Sequence, residues 1–319
     1  MILIVTEQAD LTADLVIHEL TRRGAEFVRL NCDRLLADVE LESWEPGAAR
    51  LCDEAGVWFD LRRVRAVWYR RPTLPEYDKT LAPSIGHFAQ REMWAHAMGV
   101  LLSLGVYWMS DPRAVWRANH KACQLAVATA SGFTIPRTLI TRSPDRAWEF
   151  FSSSREKVVA KPVSFGSVEG HEPELAIFTN RLEALTRSDF ESVRAAPVIF
   201  QEEVPKRRDV RVTVIGRTSF AVGIDSQAHA VTQVDWRHTP PEPLRHAPID
   251  LPPNVCSSIS RLLDAFGLEF GAIDLVERDD GMFVFLEINP NGQWGWLQLR
   301  TGIDLASALA ERLIAGKSS

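Results

Sequence analysis

Several common signals are missing from this 319-residue chain. Its four cysteines, at 32, 52, 123 and 256, include no CxxC pair, which argues against a disulfide or zinc framework and for a reducing compartment. Positive charge is not in excess: 36 Lys and Arg against 42 Asp and Glu leave a net charge of −6. That balance gives no support for broad nucleic-acid binding, although Arg62-Arg63, Arg70-Arg71 and Lys206-Arg207-Arg208 are local basic clusters. The longest apolar run, 97–109, is too short to span a bilayer. Glu7 and Asp10 interrupt the apolar start before a signal-peptide core can form, so a cytoplasmic protein without a membrane partner is expected. The loop 6–11 has no glycine, which removes the dinucleotide fingerprint, and no GxxxxGK[ST] P-loop occurs. The eight histidines are dispersed, with none at metal-ligand spacing, and read as structural or surface residues. Internal repeats and low-complexity tracts are absent too.

What remains describes an ordinary globular chain, 46% hydrophobic and 24% charged, long enough for two or three domains. Residues 2–5, 11–23 and 26–30 read as strand, amphipathic helix and strand. This βαβ opening predicts an N-terminal doubly wound α/β layer. Residues 49–53 and 57–60 suggest a side hairpin, 64–69 a buried strand, and 85–104 a long helix whose Trp94 and Met98 belong to core or interface. Arg70-Arg71 follow the buried strand, where ligands tend to bind in such sheets, although a solvated strand exit explains them as well. Asp111-Pro112 marks the end of the first part.

The stretch 271–298, GAIDLVERDDGMFVFLEINPNGQWGWLQ, predicts a hairpin turning at Asp280-Gly281. A two-residue turn there places Asp279 opposite Met282, Leu275 opposite Leu286, Asp274 opposite Glu287 and Ile273 opposite Ile288. Ile273, Leu275, Val284, Leu286 and Ile288 then share an apolar face. Asp274, Glu287 and Asn289 share the other. Opposed carboxylates repel and call for a cation, and two carboxylates with an amide suit Mg²⁺. A solvated acidic face is the competing explanation.

Upstream, residues 116–131 predict a helix carrying Lys121. Lys161 ends the apolar strand 157–161, a setting in which a lysine wants an anionic partner. The small-residue loop 163–171, with Ser164 and Gly166, could cover phosphates with backbone N–H groups. Residues 198–204 form a strand ending in Gln201-Glu202-Glu203-Val204-Pro205. In 209–214, Asp209 and Arg211 share a strand face, as an internal ion pair or as site residues. Residues 220–224 predict a strand, 227–246 a polar mobile loop with Asp235-Trp236-Arg237, and 254–266 and 303–314 helices.

In this order, Lys121, Lys161, QEEV, DVR and FLEINPN resemble the ATP-grasp superfamily from about Asp111 to Leu313. VWYRRP, ANHKACQLAVATASGFTIPRTLIT, QEEVPKRRDVRVTVIG, the DSQ and VDWR segments, FLEINPNGQWGW and TGIDLASALAERL are similar to the branch that makes microviridin-like peptides, the graspetide synthetases. Two departures stand out: Gln298 where an acidic residue is expected, and few glycines in KPVSFGSVEG.

The resemblance implies an α/β protein with an α+β catalytic part: an ATP-grasp fold behind a Rossmann-like pre-ATP-grasp domain. The expected division is 1–112, a central lid 113–197 and a catalytic part 198–319. It implies ATP and Mg²⁺ as cofactors. Lys121 and Lys161, with Ser164 and Gly166 of the cover loop, would bind phosphates; Glu202, Glu203 and Val204 would meet adenine; Asp209 would hold ribose. Asp274, Glu287 and Asn289 would hold the metal, and Arg211 and Arg237 the transferring phosphoryl group or substrate carboxylate. The implied reaction joins Asp or Glu side chains of a ribosomal precursor peptide, through acyl phosphates, to Ser/Thr hydroxyls or Lys amines. A homodimer and a leader-peptide surface are implied as well. Two alternatives are an amino-acid or glutamate ligase on the same fold and a non-catalytic nucleotide- or peptide-binding module.

Overall fold

The computed structural model describes residues 1–154, 157–164, 178–238 and 242–316, and the backbone alone of 167–168 and 175–176. Ile2–Thr6 is the hub of a four-stranded parallel sheet whose order is Phe27–Asn31, Ile2–Thr6, Ala66–Tyr69, Tyr107–Met109. Successive side chains of a strand point to opposite faces, and this strand feeds two cores. Ile2 and Ile4 pack with Val16 and Leu20 of the helix Leu11–Arg22 and with Leu305, Leu309 and Leu313 of the last helix. Leu3 and Val5 pack with Ala97, Val100 and Leu101 of the helix Pro83–Ser103. Trp94 and Met98 lie against that second core, as expected of them. The side hairpin has a third strand, Glu40–Glu45, that was not read from its charged sequence.

The expected single helix over 116–131 is two, Pro112–Ala118 and Lys121–Ala130. The break at Asn119 and His120, both weak helix formers, puts Lys121 in the first turn of the second helix. A four-stranded antiparallel sheet follows, built from Thr138–Thr141, Val158–Pro162, Asn180–Leu182 and Val198–Glu202. Phe150, Phe151, Phe190 and Phe200 fill its core. Val198–Glu202, expected to open the catalytic part, is therefore hydrogen-bonded into the middle sheet.

The last sheet has five antiparallel strands in the order His246–Pro248, Thr218–Ile224, Arg208–Ile215, Phe270–Glu277, Phe283–Asn289. Its apolar face packs on the helix Pro253–Phe266. The hairpin departs from expectation at its tip. Arg278 N–H donates to Met282 O at 2.9 Å and Gly281 N–H to Arg278 O at 3.0 Å, so the loop holds three residues, 279–281. Only Gly281 takes positive φ, +78°, the left-handed position of a three-residue loop. That shifts the pairing by one: Val276 lies opposite Val284 and Leu275 opposite Phe285, not Leu286. A bulge between Leu275 and Asp274 then absorbs Leu286, and Asp274 faces Glu287 after all. Two offsets cancel. Phe285 takes the core position expected of Leu286, and Leu286 lines the cleft described next.

Among the described residues no helix is long and apolar enough to cross a membrane. Residues 226–238 are not a loose loop, since Ser226, Thr232 and Asp235 are buried in it.

Candidate active site

A cleft of about 550 Å³ opens between the middle and last sheets. Lys121, Lys161, Ser164, Glu202, Glu203, Val204, Asp209, Arg237, Asp274, Glu287 and Asn289 all line it. Gly166 lies outside the described residues. Arg211 is off the wall: it is buried behind Asp274, with Nη1 donating to both carboxylate oxygens at 2.8 Å.

The acidic floor comes from the paired strands Phe270–Glu277 and Phe283–Asn289. Asn289 Nδ2 donates to Asp274 Oδ2 at 3.3 Å and to Glu287 Oε1 at 3.1 Å, so the three polar groups meet at one point. Lys121 Nζ donates to Glu287 Oε2 at 2.6 Å. Burial alone would raise Glu287, but Lys121 and then Lys161 outweigh it and hold its pKa well below the usual carboxylate range. Asp274 moves the other way: burial pushes it up, Arg211 opposes, and the charge on Glu287 adds to the rise. Lys161 is pushed below its ordinary value by burial, with Glu287 opposing and Lys121 and Arg237 reinforcing. The far end of the cleft thus gathers Lys121, Lys161 and Arg237 near Asp274 and Glu287, with Arg211 behind the floor and Asp235 paired to Arg237, a cationic setting suited to an oligophosphate.

The DxR pair is not an internal salt bridge. Asp209 pairs with Lys206 at 2.7 Å, while Arg211 pairs with Asp274 across the strands. Of the basic cluster Lys206-Arg207-Arg208, Arg207 is exposed, its Nη1 3.7 Å from Glu277 Oε1, and the other two are engaged with the fold. Lys206 is buried and lines the cleft, also donating to Val234 O at 3.2 Å, and Arg208 Nε donates to Glu277 Oε2 at 2.5 Å. Glu202 accepts from Arg137 and Ser154, and Glu203 from Arg181. With both carboxylates engaged, these two residues can offer a purine little beyond main chain. Arg237 donates to Asp235 through Nε at 2.8 Å and Nη2 at 2.6 Å, and Asp235 Oδ2 accepts from Thr179 N at 3.2 Å. The loop carrying Arg237 is thereby tied to the middle part of the chain.

Comparison with known proteins gives the setting for this geometry. The family model described as the MvdD pre-ATP grasp domain matches residues 1–115. The macrocyclase MdnC of Microcystis aeruginosa MRC, solved bound with precursor peptide MdnA, is 29% identical at a TM-score of 0.89, over 99% of each chain. The chain is an ATP-grasp protein resembling the microviridin-type peptide ligases. A Chryseobacterium gregarium RiPP-associated ATP-grasp ligase, in complex with ADP and a leader and core peptide, is 28% identical at a TM-score of 0.89, covering 98% of this chain and 96% of its own. The ATP-grasp ligase PsnB, complexed with a phosphomimetic variant of minimal precursor, Mg and ADP, is 25% identical at a TM-score of 0.80, covering 98% and 97%. No curated protein matches the sequence.

Within this ATP-grasp chain, several polar residues at the site escaped the sequence reading. Gln124 is buried and bonds both the N–H and the C=O of Ile288, between the two floor residues Glu287 and Asn289. Arg70 was placed at a ligand end or a solvated exit, but it is 1% exposed and bonded to the loop after Asn289. Gln298, flagged as a departure from an acid, accepts from Ala306 N at 2.9 Å and caps the last helix. A carboxylate could do the same. No local pattern marks Gln124 or Arg70, because Gln124 meets Ile288 across 164 positions and Arg70 meets Asn291 across 221.

Proposed function

We propose that the chain is an ATP-dependent carboxylate ligase that closes macrocycles in a ribosomally made precursor peptide. One observation carries the proposal: a single cleft combines cationic residues, the segment 202–204 and a two-carboxylate, one-amide floor, in a chain superposable end to end on peptide ligases. The donor set suits Mg²⁺, which favours one or two carboxylates plus phosphate oxygens. Among the described residues no cluster of three or more His, Cys, Asp or Glu is placed to hold a metal ion. A floor of two carboxylates and one amide would leave the metal's remaining positions to nucleotide oxygens and water. Turning the Asn289 amide would present Oδ1 to the same point.

Asp274, Glu287 and Asn289 would hold Mg²⁺, which when bound neutralises charge on phosphate oxygens. Lys121 and Lys161 would align the phosphates, with Lys121 released from Glu287 when nucleotide arrives. Phosphoryl transfer asks mainly for alignment and charge neutralisation, and Arg237 would supply both to a substrate carboxylate. Glu202, Glu203 and Val204 would seat adenine by main chain and Asp209 the ribose. A substrate carboxylate takes the terminal phosphoryl group, ADP departs, and a Ser/Thr hydroxyl or Lys amine then displaces phosphate. Esters or amides are the products.

ATP, Mg²⁺ and a candidate acidic precursor peptide should yield ADP, and the peptide should lose one water per link. AMP, or a product heavier by a residue, would refute the proposal. We further propose a first boundary near residue 112 and a second beyond Glu202, which keeps the middle sheet whole. Homodimer assembly is also proposed; light scattering tests it.

A further inference from the structure

We propose that Arg70, from the N-terminal sheet, is a positioning residue for the metal-binding end of the cleft. It clamps the loop 290–293 against Arg211, and Arg211 holds Asp274. The inference rests on the assignment of Asp274, Glu287 and Asn289 to Mg²⁺.

Arg70 follows the strand Ala66–Tyr69 and is 1% exposed. Its Nε lies 3.3 Å from Asp10 Oδ2. A buried guanidinium needs more than one partner, and its hydrogen-bond acceptors all belong to one loop. Nη1 donates to Asn291 O at 2.6 Å and Gly292 O at 3.3 Å, and Nη2 to Gln293 Oε1 at 2.5 Å. Thr12 Oγ1 donates to the same Oε1 at 2.7 Å. On the loop's other side, Arg211 Nη2 donates to Gln293 O at 3.2 Å while its Nη1 holds Asp274. Contact there is close: a Cβ added to Gly292 would lie 2.5 Å from Ala272 Cβ and 2.8 Å from Arg211 Nη2. Two guanidinium groups from different sheets thus grip one short main-chain segment. Asn289 immediately precedes that segment, and Asp274 hangs from its far side through Arg211. Three carbonyl-type acceptors in a fan suit the fixed fork of arginine and not the single point of lysine.

A strut that merely joined two domains would affect stability without sensing the metal. The test is the affinity of the full chain for ADP, by calorimetry, with Mg²⁺ and in EDTA, alongside thermal unfolding. Arg70→Lys keeps the charge facing Asp10. It should cut the Mg²⁺-dependent gain in ADP affinity about 10–100-fold, as expected for residues that orient metal ligands, while affinity in EDTA stays near wild type. Gln293→Met leaves the Arg70–Asp10 pair in place and should shift the same quantity the same way, which keeps the test open if Arg70→Lys does not fold. Unchanged Mg²⁺ gain in both variants, or equal losses with and without Mg²⁺, would overturn the proposal. Failure of the underlying assignment looks different: wild type would show no Mg²⁺ gain, or Asp274→Asn would retain it.

Discussion

Gln124→Leu should destabilise this protein by at least about 3 kcal/mol, as three polar groups lose partners at about 1–3 kcal/mol each. The strand Phe283–Asn289 is the edge of its sheet, and an edge leaves N–H and C=O groups without a neighbouring strand. Gln124 supplies the missing partner at Ile288. Its Oε1 accepts from Ile288 N at 3.2 Å and its Nε2 donates to Ile288 O at 2.8 Å and Ala118 O at 2.6 Å. The side chain is 1% exposed, so water has poor access when the amide is gone. Leucine nearly matches the volume, which limits any cavity contribution. A domain is stable by about 5–15 kcal/mol, so the loss is a large fraction. Because Ile288 sits between Glu287 and Asn289, Mg²⁺-dependent ADP binding should weaken in parallel. Urea unfolding followed by tryptophan fluorescence gives the first quantity and calorimetry the second. A loss below about 1 kcal/mol, or intact metal-linked binding in a destabilised variant, would refute this role of Gln124.

Lys161→Met should leave the melting temperature unchanged or higher, since burial disfavours this charge, yet weaken ADP binding about tenfold or more through one lost charge-assisted hydrogen bond; calorimetry beside a melt checks both. The lowered pKa of Lys161 also sets a pH dependence. The fold penalises its protonated form, so that penalty is complete below the folded pKa and fades as pH rises toward the ordinary 10.5. Bound phosphate should restore the charge, so nucleotide binding at alkaline pH should take up a proton. Calorimetry in two buffers of different ionisation heat measures it, and zero uptake counts against the account. Gly281→Ala meets no atom within 4 Å, so its cost is the left-handed backbone alone, about 1–2 kcal/mol. Asp280→Ala, which loses an exposed hydrogen bond from Met282 N and an exposed ion pair with Arg278, should cost about 1 kcal/mol or less. Equal losses in urea unfolding would contradict the three-residue turn. Glu287→Gln removes the partner of Lys121 and should abolish the Mg²⁺ gain in ADP affinity; its survival would clear Glu287 of metal binding.

Local pattern was enough for much of this molecule. The apolar run 2–5, the alternation in 209–214, and helical periodicity in 11–23 and 254–266 fall on the strands and helices that form. Asp274, Glu287 and Asn289 could be grouped from the hairpin signal alone because a strand's two-residue period is rigid. The grouping survived a wrong turn only because the bulge at Leu286 cancelled it, and a bulge responds to packing of Phe285 in the core, which no local signal announces. Ion-pair choice was likewise tertiary. Asp209 and Arg211 share a face in sequence, yet Lys206 folds back onto one and Asp274 arrives across the sheet at the other. Arg70 carries the same lesson over a longer range. From sequence it is one of two arginines at a strand exit; only the packing of the last helix and the loop 290–293 against the N-terminal sheet gives its fork three acceptors. The sequence by itself determined the elements and which residue types each face could offer. Tertiary structure decided which charges meet, because partners distant in the chain are chosen by the packing of whole sheets.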